Sequence, residues 1–214
     1  MDYEALYAHR FKNVDLSRKL AVWSVISGHI MSMAGRPDRV LDPACGTGEF
    51  VATCGAQEVC AVDLGAAPRT LPDGATFFSG SFLEVDLPRH HFDLVFASNV
   101  LEHMANQQQV NDFLAQARTF LRPGGRIVVM GPNFKYCAKE YFDCADHTVP
   151  LTHVSVEEHL VAAGYEIERT IPRFLPYSFR SSLPANPSAV RAYLAMPILW
   201  RLLGKQFLLV GINR

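Results

Sequence analysis

The stretch VLDPACGTGEF, Val40 to Phe50, and the AVDL that follows it with Asp63 and Leu64, bring together residue types suited to holding a nucleoside. Asp42 closes a short apolar run at the carboxyl end of a strand, the edge at which open α/β sheets take their ligands. Gly46 and Gly48 allow a backbone to approach a ligand and to reach φ angles that side chains resist. From Glu49 to Cys54 the pattern reads as a helix start, whose unpaired N–H groups favour electron-rich atoms. Asp63 stands about 20 residues beyond the turn, where the dinucleotide fingerprint places a carboxylate that receives two vicinal hydroxyls. The implied ligand contains a ribose. The dinucleotide form of this site is disfavoured, because Val51 stands where GxGxxG wants its third glycine and Glu49 adds charge that opposes a pyrophosphate.

A second group of reactive side chains lies in YFDCADHTVPLTHVS, Tyr141 to Ser155, with Asp143, Asp146, His147 and His153 in one polar segment. Histidine titrates nearest neutral pH and suits proton transfer. Together with Cys137 the segment also reads CxxxxxxCxxHxxxxxH, which contains zinc-type ligands at Cys137, Cys144, His147 and His153. The first interval is wider than CxxC or CxxxxC and Pro150 stiffens the second, so no metal is expected.

The elements that must position these residues follow from alternating strand and helix patterns. Residues up to about Gly35 read as helical, with Leu16, Leu20, Trp23 and Ile26 or Ile30 on one apolar face. Short strands are expected at Arg39 to Asp42, Val59 to Asp63, Thr76 to Ser79, Asp93 to Ala97 and Arg126 to Met130. Helices fall at Gly48 to Ala56 and at about Asn106 to Leu121, the latter ended by Pro123 and Gly124. Ser155 with Glu158 reads as a capping box opening a helix that stops at Gly164. Strands at Glu166 to Ile171 and Phe207 to Ile212 complete the series.

The strand, turn and acid resemble the S-adenosylmethionine (SAM) site of class I methyltransferases, whose first motif is (D/E)xGxGxG. Asp42, Ala44, Gly46 and Gly48 occupy its four positions, Ala44 replacing the first glycine. The resemblance continues in order through FDLVFASNVLEHM, Phe92 to Met104, similar to the fourth-strand motif, and FLRPGGRIVVMGPNF, Phe120 to Phe134, similar to the L(K/R)PGG turn into strand five. It covers roughly Asp38 to Phe134. It implies an α/β fold: a Rossmann-like, doubly wound, seven-stranded sheet with the last strand antiparallel, an N-terminal helical segment, and an insertion between strands six and seven. The whole chain, 1–214, then reads as one methyltransferase domain, with N-terminal helices at 1–35, a cofactor-binding core at 36–171, an insertion or cap at 172–206 and the last strand at 207–214.

Carried onto this chain, the resemblance implies a cofactor contact for each motif residue. Asp63 receives the ribose hydroxyls, and Asp42 with the backbone of Ala44 to Gly48 holds the methionine end. Leu64 lies against the adenine. Ser81 stands where the family often has an acid for the adenine amine, leaving the ring to backbone groups and Phe82. Asn99 and Val100 flank the sulfur. Methyl transfer needs an aligned nucleophile and often a base. His147 is the first candidate base, oriented by Asp143 or Asp146, and His103 is the second, its alternative being a structural role in the widespread LEH sequence. His90 and His91 read as solvated turn residues.

The acceptor is less constrained. ASNVLEH replaces the (D/N)PP(Y/F) of amino-methyltransferases that act on nucleic-acid bases, and a net charge of -1 gives no electrostatic pull towards nucleic acid. GPNF at Gly131, PLT at Pro150, RFLPY at Arg173 and GKQ at Gly204 resemble bacterial methyltransferases of polysaccharide and natural-product pathways, which implies O-methylation of a sugar, nucleotide-sugar or secondary-metabolite hydroxyl. In the insertion, Phe174, Tyr177, Phe179, Tyr193 and Trp200 suit a ring, and Arg173, Arg180, Arg191 and Lys205 suit a phosphate. The alternatives there are packing on the core and a homodimer surface. With 49% hydrophobic and 19% charged residues the chain reads as globular, and its five cysteines without framework spacing and its N-terminus without an apolar leader read as cytoplasmic. No run is long enough to span a membrane. Two other classes stay open: a non-catalytic SAM-binding module or pathway partner, and a nucleotide-dependent oxidoreductase.

Overall fold

A computed structural model describes residues 6, 9–10, 12, 15–176 and 186–214. Seven strands form one sheet in the order β3-β2-β1-β4-β5-β7-β6. They are β1 (Arg39–Asp42), β2 (Glu58–Asp63), β3 (Thr76–Ser79), β4 (Phe92–Ser98), β5 (Leu121–Pro132), β6 (Glu166–Ile171) and β7 (Gln206–Ile212). β7 runs antiparallel to both neighbours, whereas the pairs from β3 to β5 are parallel. This is the expected α/β sheet with its reversed last strand.

The helices are α1 (Leu16–Met33), α2 (Glu49–Thr53), α3 (Gln107–Phe120), α4 (Phe134–Tyr141), α5 (His153–Ala162), α6 (Pro187–Leu194) and α7 (Pro197–Leu203). Strand alternation divides the core between two faces. Leu94 and Phe96 point towards α1 and α2, meeting Ile26, Ile30 and Phe50, while Val95 and Ala97 point towards α3 and α5, meeting Phe113 and Val156. Because central strands bury both faces, they read as unbroken apolar runs.

Two expectations change. Thr152, not Ser155, caps α5: its hydroxyl accepts from the Ser155 N–H while the Ser155 hydroxyl accepts from the Thr152 N–H, so Ser155 is the inner member of the box. α3 ends at Phe120, close to the expected bound before Pro123 and Gly124, but β5 begins at once with Leu121 rather than at Arg126, with a register shift against β4 between Phe92 and Leu94. The insertion contributes Phe174, Tyr193 and Leu194 to the core beside α1. Its Trp200 and Phe174 rings enclose His29 of α1, at centroid distances of 5.8 and 5.9 Å. Those parts pack on the helical layer; Tyr177, Phe179 and Arg180 lie outside the described residues.

Candidate functional site

The turn after β1 is built around its acids. The buried Asp42 carboxylate accepts from the Ala44 N–H at 3.2 Å, and Gly46 and Gly48 take φ of 54° and 80°. Asp63, at the end of the neighbouring β2, accepts from the Gly46 N–H at 2.8 Å through Oδ2 and from the Gly65 N–H at 2.9 Å through Oδ1. One carboxylate thus holds the glycine turn and the start of its own loop, and each oxygen keeps a lone pair for a hydroxyl. At Gly48 a side chain has no room: an added Cβ would lie 2.6 Å from Thr70 Oγ1 and 2.9 Å from Pro68 Cβ. The segment between β2 and β3, residues 64–75, carries no helix and folds onto the turn, with the Thr70 hydroxyl donating to the Thr47 carbonyl at 2.7 Å.

Glu49 does not face the ligand edge as a bare charge. It pairs with Lys19 of α1 at 2.7 Å, both side chains 8% exposed, and Lys19 also donates to Thr47 Oγ1 at 3.0 Å. Sequence reasoning missed Lys19, since a separation of thirty positions from Glu49 gives no local sign of the pair. Burial pushes the Asp42 carboxyl up to about 8, against the Ala44 hydrogen bond and with help from Asp63 and Glu49. With Glu49 compensated, Asp63 leaves the turn acidic, and Asp42 adds a second charge once it gives up its proton. A ligand with ammonium and sulfonium charges suits these residues, and a pyrophosphate does not.

Leu64, expected to lie against the adenine, is 71% exposed. Ser81 accepts from the Leu83 N–H at 3.3 Å and acts as a turn residue. The Phe82 side chain is a correction: its ring is buried against Phe113 and Phe120, at 4.8 and 5.8 Å, because the link into β4 has no helix and needs an apolar anchor. Only its main chain remains at the edge. Past β4, Asn99 adopts a φ of 50°, its N–H donating to the Met130 carbonyl at 2.8 Å and its side chain to Ser98 Oγ at 2.9 Å. A non-glycine residue held there at a ligand edge marks a constrained position. Val100, half-buried, leads into a tight 3₁₀ turn at Leu101–His103.

The polar segment after α4 is stitched to that turn. The Glu102 carbonyl accepts from the N–H groups of Thr148 and Val149 at 2.9 and 3.2 Å. His103 Nδ1 lies 3.0 Å from the Asp146 carbonyl oxygen and 3.4 Å from its carboxylate. Arg10 donates to both oxygens of the same carboxylate, at 2.5 and 3.2 Å. Asp146 therefore orients His103, while Asp143 sits on an exposed turn. The His147 ring is buried edge-on to Tyr141 and His103, at 4.7 and 4.9 Å, and burial, reinforced by His103, pushes it down to about 4, so it is neutral at neutral pH. Of the two histidines, His103 is the one whose side chain reaches solvent, at 21% exposure. His153 lies elsewhere, its Nδ1 3.0 Å from the Asn133 amide, and the Cys137 thiol donates to the Asn133 carbonyl at 3.1 Å. Neither belongs to the metal-capable groupings among the described residues.

Two of the cations expected to meet a phosphate, Arg173 and Lys205, are engaged in structure. Arg173 donates to the carbonyls of Gly204 and Leu202 at 2.7 and 2.8 Å, and Lys205 pairs with Glu140 at 2.6 Å. Arg191 is exposed on α6.

Sheet order, reversed β7, the glycine turn and its paired acids together define a class I, SAM-dependent methyltransferase. Residues 41–129 match the family model described as a methyltransferase domain. No curated protein matches the chain. Among solved structures, a SAM-dependent methyltransferase from Archaeoglobus fulgidus is similar at a TM-score of 0.67 and 19% identity, covering 99% of this chain and 100% of that one. A SAM-dependent methyltransferase from Thermotoga maritima is similar at a TM-score of 0.69 and 12% identity, covering 97% and 96%. The 1,6-didemethyltoxoflavin-N1-methyltransferase of Burkholderia thailandensis, with 1,6-didemethyltoxoflavin and S-adenosylhomocysteine bound, is similar at a TM-score of 0.61 and 19% identity, covering 99% and 88%. These likenesses establish the fold.

Proposed function

We propose that this SAM-dependent methyltransferase acts on a small molecule and methylates a hydroxyl, that of a sugar, a nucleotide-sugar or a secondary metabolite. The observation that carries the reading is the His103 imidazole, tied through Nδ1 to Asp146 and partly open to solvent, one turn past the end of β4. Bound SAM supplies a methyl group on a cationic sulfur. Asp63 and Asp42, with the backbone of Ala44 to Gly48, would hold it, Leu64 and Ser81 would border the adenine, and Asn99 and Val100 would border the sulfur. His103 and His147 deal with the acceptor hydroxyl, Asp146 and Arg10 fix their geometry, and Asp143 stands at the rim. The toxoflavin-type neighbour, with a small acceptor bound, supports the substrate class.

The whole chain is taken as one domain, with 172–206 as an addition to the helical layer. Among the described residues no helix is long and apolar enough to cross a membrane, and the five cysteines are free thiols, which suits a reducing compartment. Calorimetry with SAM and S-adenosylhomocysteine tests the cofactor, and turnover of methyl-labelled SAM over a panel of sugars, nucleotide-sugars and phenolic metabolites tests the acceptor. Labelling of amines but of no hydroxyl would overturn the O-directed reading.

A further inference from the structure

Glu102, His103 and His147 each offer one ligand atom, and the three atoms lie within 4.8 Å of one another. The first two are neighbours in the 3₁₀ turn after β4, and the third comes from the segment after α4. Two features show that the grouping is built for an occupant. The His147 ring is 9% exposed, and its Nδ1 is sealed from solvent without a hydrogen-bond partner among the described residues. Glu102 is 2% exposed and its carboxyl is hydrogen-bonded to its own backbone, but the one ionisable neighbour paired with it among the described residues is His103 Nε2, at 4.0 Å. The buried imidazole nitrogen lacks a partner and the buried carboxyl lacks a close opposite charge, and a cation would supply both.

The support behind the histidine is also that of a ligand. His103 Nδ1 faces the Asp146 carbonyl at 3.0 Å and its carboxylate at 3.4 Å, which places the proton on Nδ1 and leaves Nε2 with its lone pair. Arg10 holds that carboxylate in turn. Ligands about 2.0–2.2 Å from one ion stand within about 4.4 Å of each other, so shifts of a few tenths of an ångström would close the three residues on it. A second grouping, Cys144, Asp146 and His147, shares His147, but the Asp146 carboxylate is already taken by Arg10.

We propose that Glu102, His103 and His147 bind a divalent first-row transition metal ion, zinc-like in its preference for two imidazoles and one carboxylate, with an open position for the acceptor's hydroxyl oxygen. Three protein ligands leave that position free. A hydroxyl bound there passes its proton to water, its oxygen stays on the ion, and no electron changes hands. The two histidines thereby act on the acceptor jointly, through the ion. Only the role of the ion rests on the methyltransferase reading; its binding does not.

The test is titration of the chelator-treated full chain with Co²⁺, followed by its visible absorption, and with Zn²⁺ by calorimetry. One ion per chain is expected, bound about tenfold or more weakly in His147→Gln and His103→Gln, since each lost ligand removes a charge-assisted contact. His153→Gln and Cys144→Ser are expected to bind as the unaltered chain does. Co²⁺-induced shifts of the His103 and His147 imidazole signals in the unaltered protein give the same assignment without a substitution that endangers folding. No stoichiometric uptake, uptake unaffected in both histidine variants, or loss confined to Cys144→Ser would each overturn the proposal. Calorimetry with SAM runs alongside: metal uptake without SAM binding would remove the methyltransferase reading and leave the ion site standing.

Discussion

The cofactor end and the acceptor end of this sheet are built in different ways. The first is made by backbone: a glycine turn, two carboxylates at adjacent strand ends, and N–H groups that those carboxylates collect, all within Asp42 to Gly65. The second is made by side chains from distant parts of the chain, with Arg10, Glu102, His103, Asp146 and His147 meeting behind the 3₁₀ turn. A site formed by one local turn tolerates few substitutions but leaves a clear pattern. A site assembled from separate segments can change residue by residue, and that freedom suits the part of an enzyme that chooses its acceptor.

Substitutions can break that contrast in a graded series. Gly48→Ala is expected to do most: a φ of 80° and a Cβ 2.6 Å from Thr70 Oγ1 should abolish SAM binding by calorimetry and cost about 1–3 kcal/mol in chemical denaturation. His103→Ala and His147→Ala should each lower turnover of labelled SAM about 10²-fold with SAM affinity little changed. If either weakens SAM as much as it slows turnover, the two ends are not separate. Asp63→Ala should weaken SAM on the order of tenfold or more, through lost charge-assisted bonds. Asp143→Asn should have the smallest effect, with Asp146→Asn clearly larger; equal effects on turnover would restore Asp143 as the orienting acid.

A pH series sharpens the same contrast. Asp42 has its carboxyl raised to about 8 in the free protein, so below that pH it holds a proton that a cationic ligand expels. SAM affinity should therefore rise with pH up to about 8 and then level, with proton release seen as a dependence of the binding heat on buffer. The sign for the free protein is opposite: the raised carboxyl stabilises the fold at low pH, and that contribution is lost as pH climbs from the ordinary carboxylate range through about 8. Asp42→Asn should flatten both curves.

The parts of this arrangement that were legible in the sequence were those with a local physical cause. β1, β3 and β6 fall at the expected bounds, because short apolar or alternating runs are framed by turn residues on both sides. The glycine turn and Asp63 carry their meaning in spacing alone. Phe82 was misread because an aromatic beside a ligand edge and an aromatic anchoring a helix-free link look the same in one dimension. Thr152 was passed over for Ser155 because both residues suit a cap and their roles differ only in backbone angles. Lys19 and Arg10 carried no signal, since each finds its partner through tertiary packing.

Asp63 binds Gly46 and Gly65 and, on the proposed reading of the site, also receives the ribose hydroxyls. Retention of the cofactor and rigidity of this sheet edge thus draw on one side chain, and an occupied site should hold the edge shut against unfolding. Limited proteolysis should cut residues 64–75 more slowly with SAM present than without it. By the same linkage, the protein is expected to resist proteolysis better where the methyl donor is plentiful than where it is scarce.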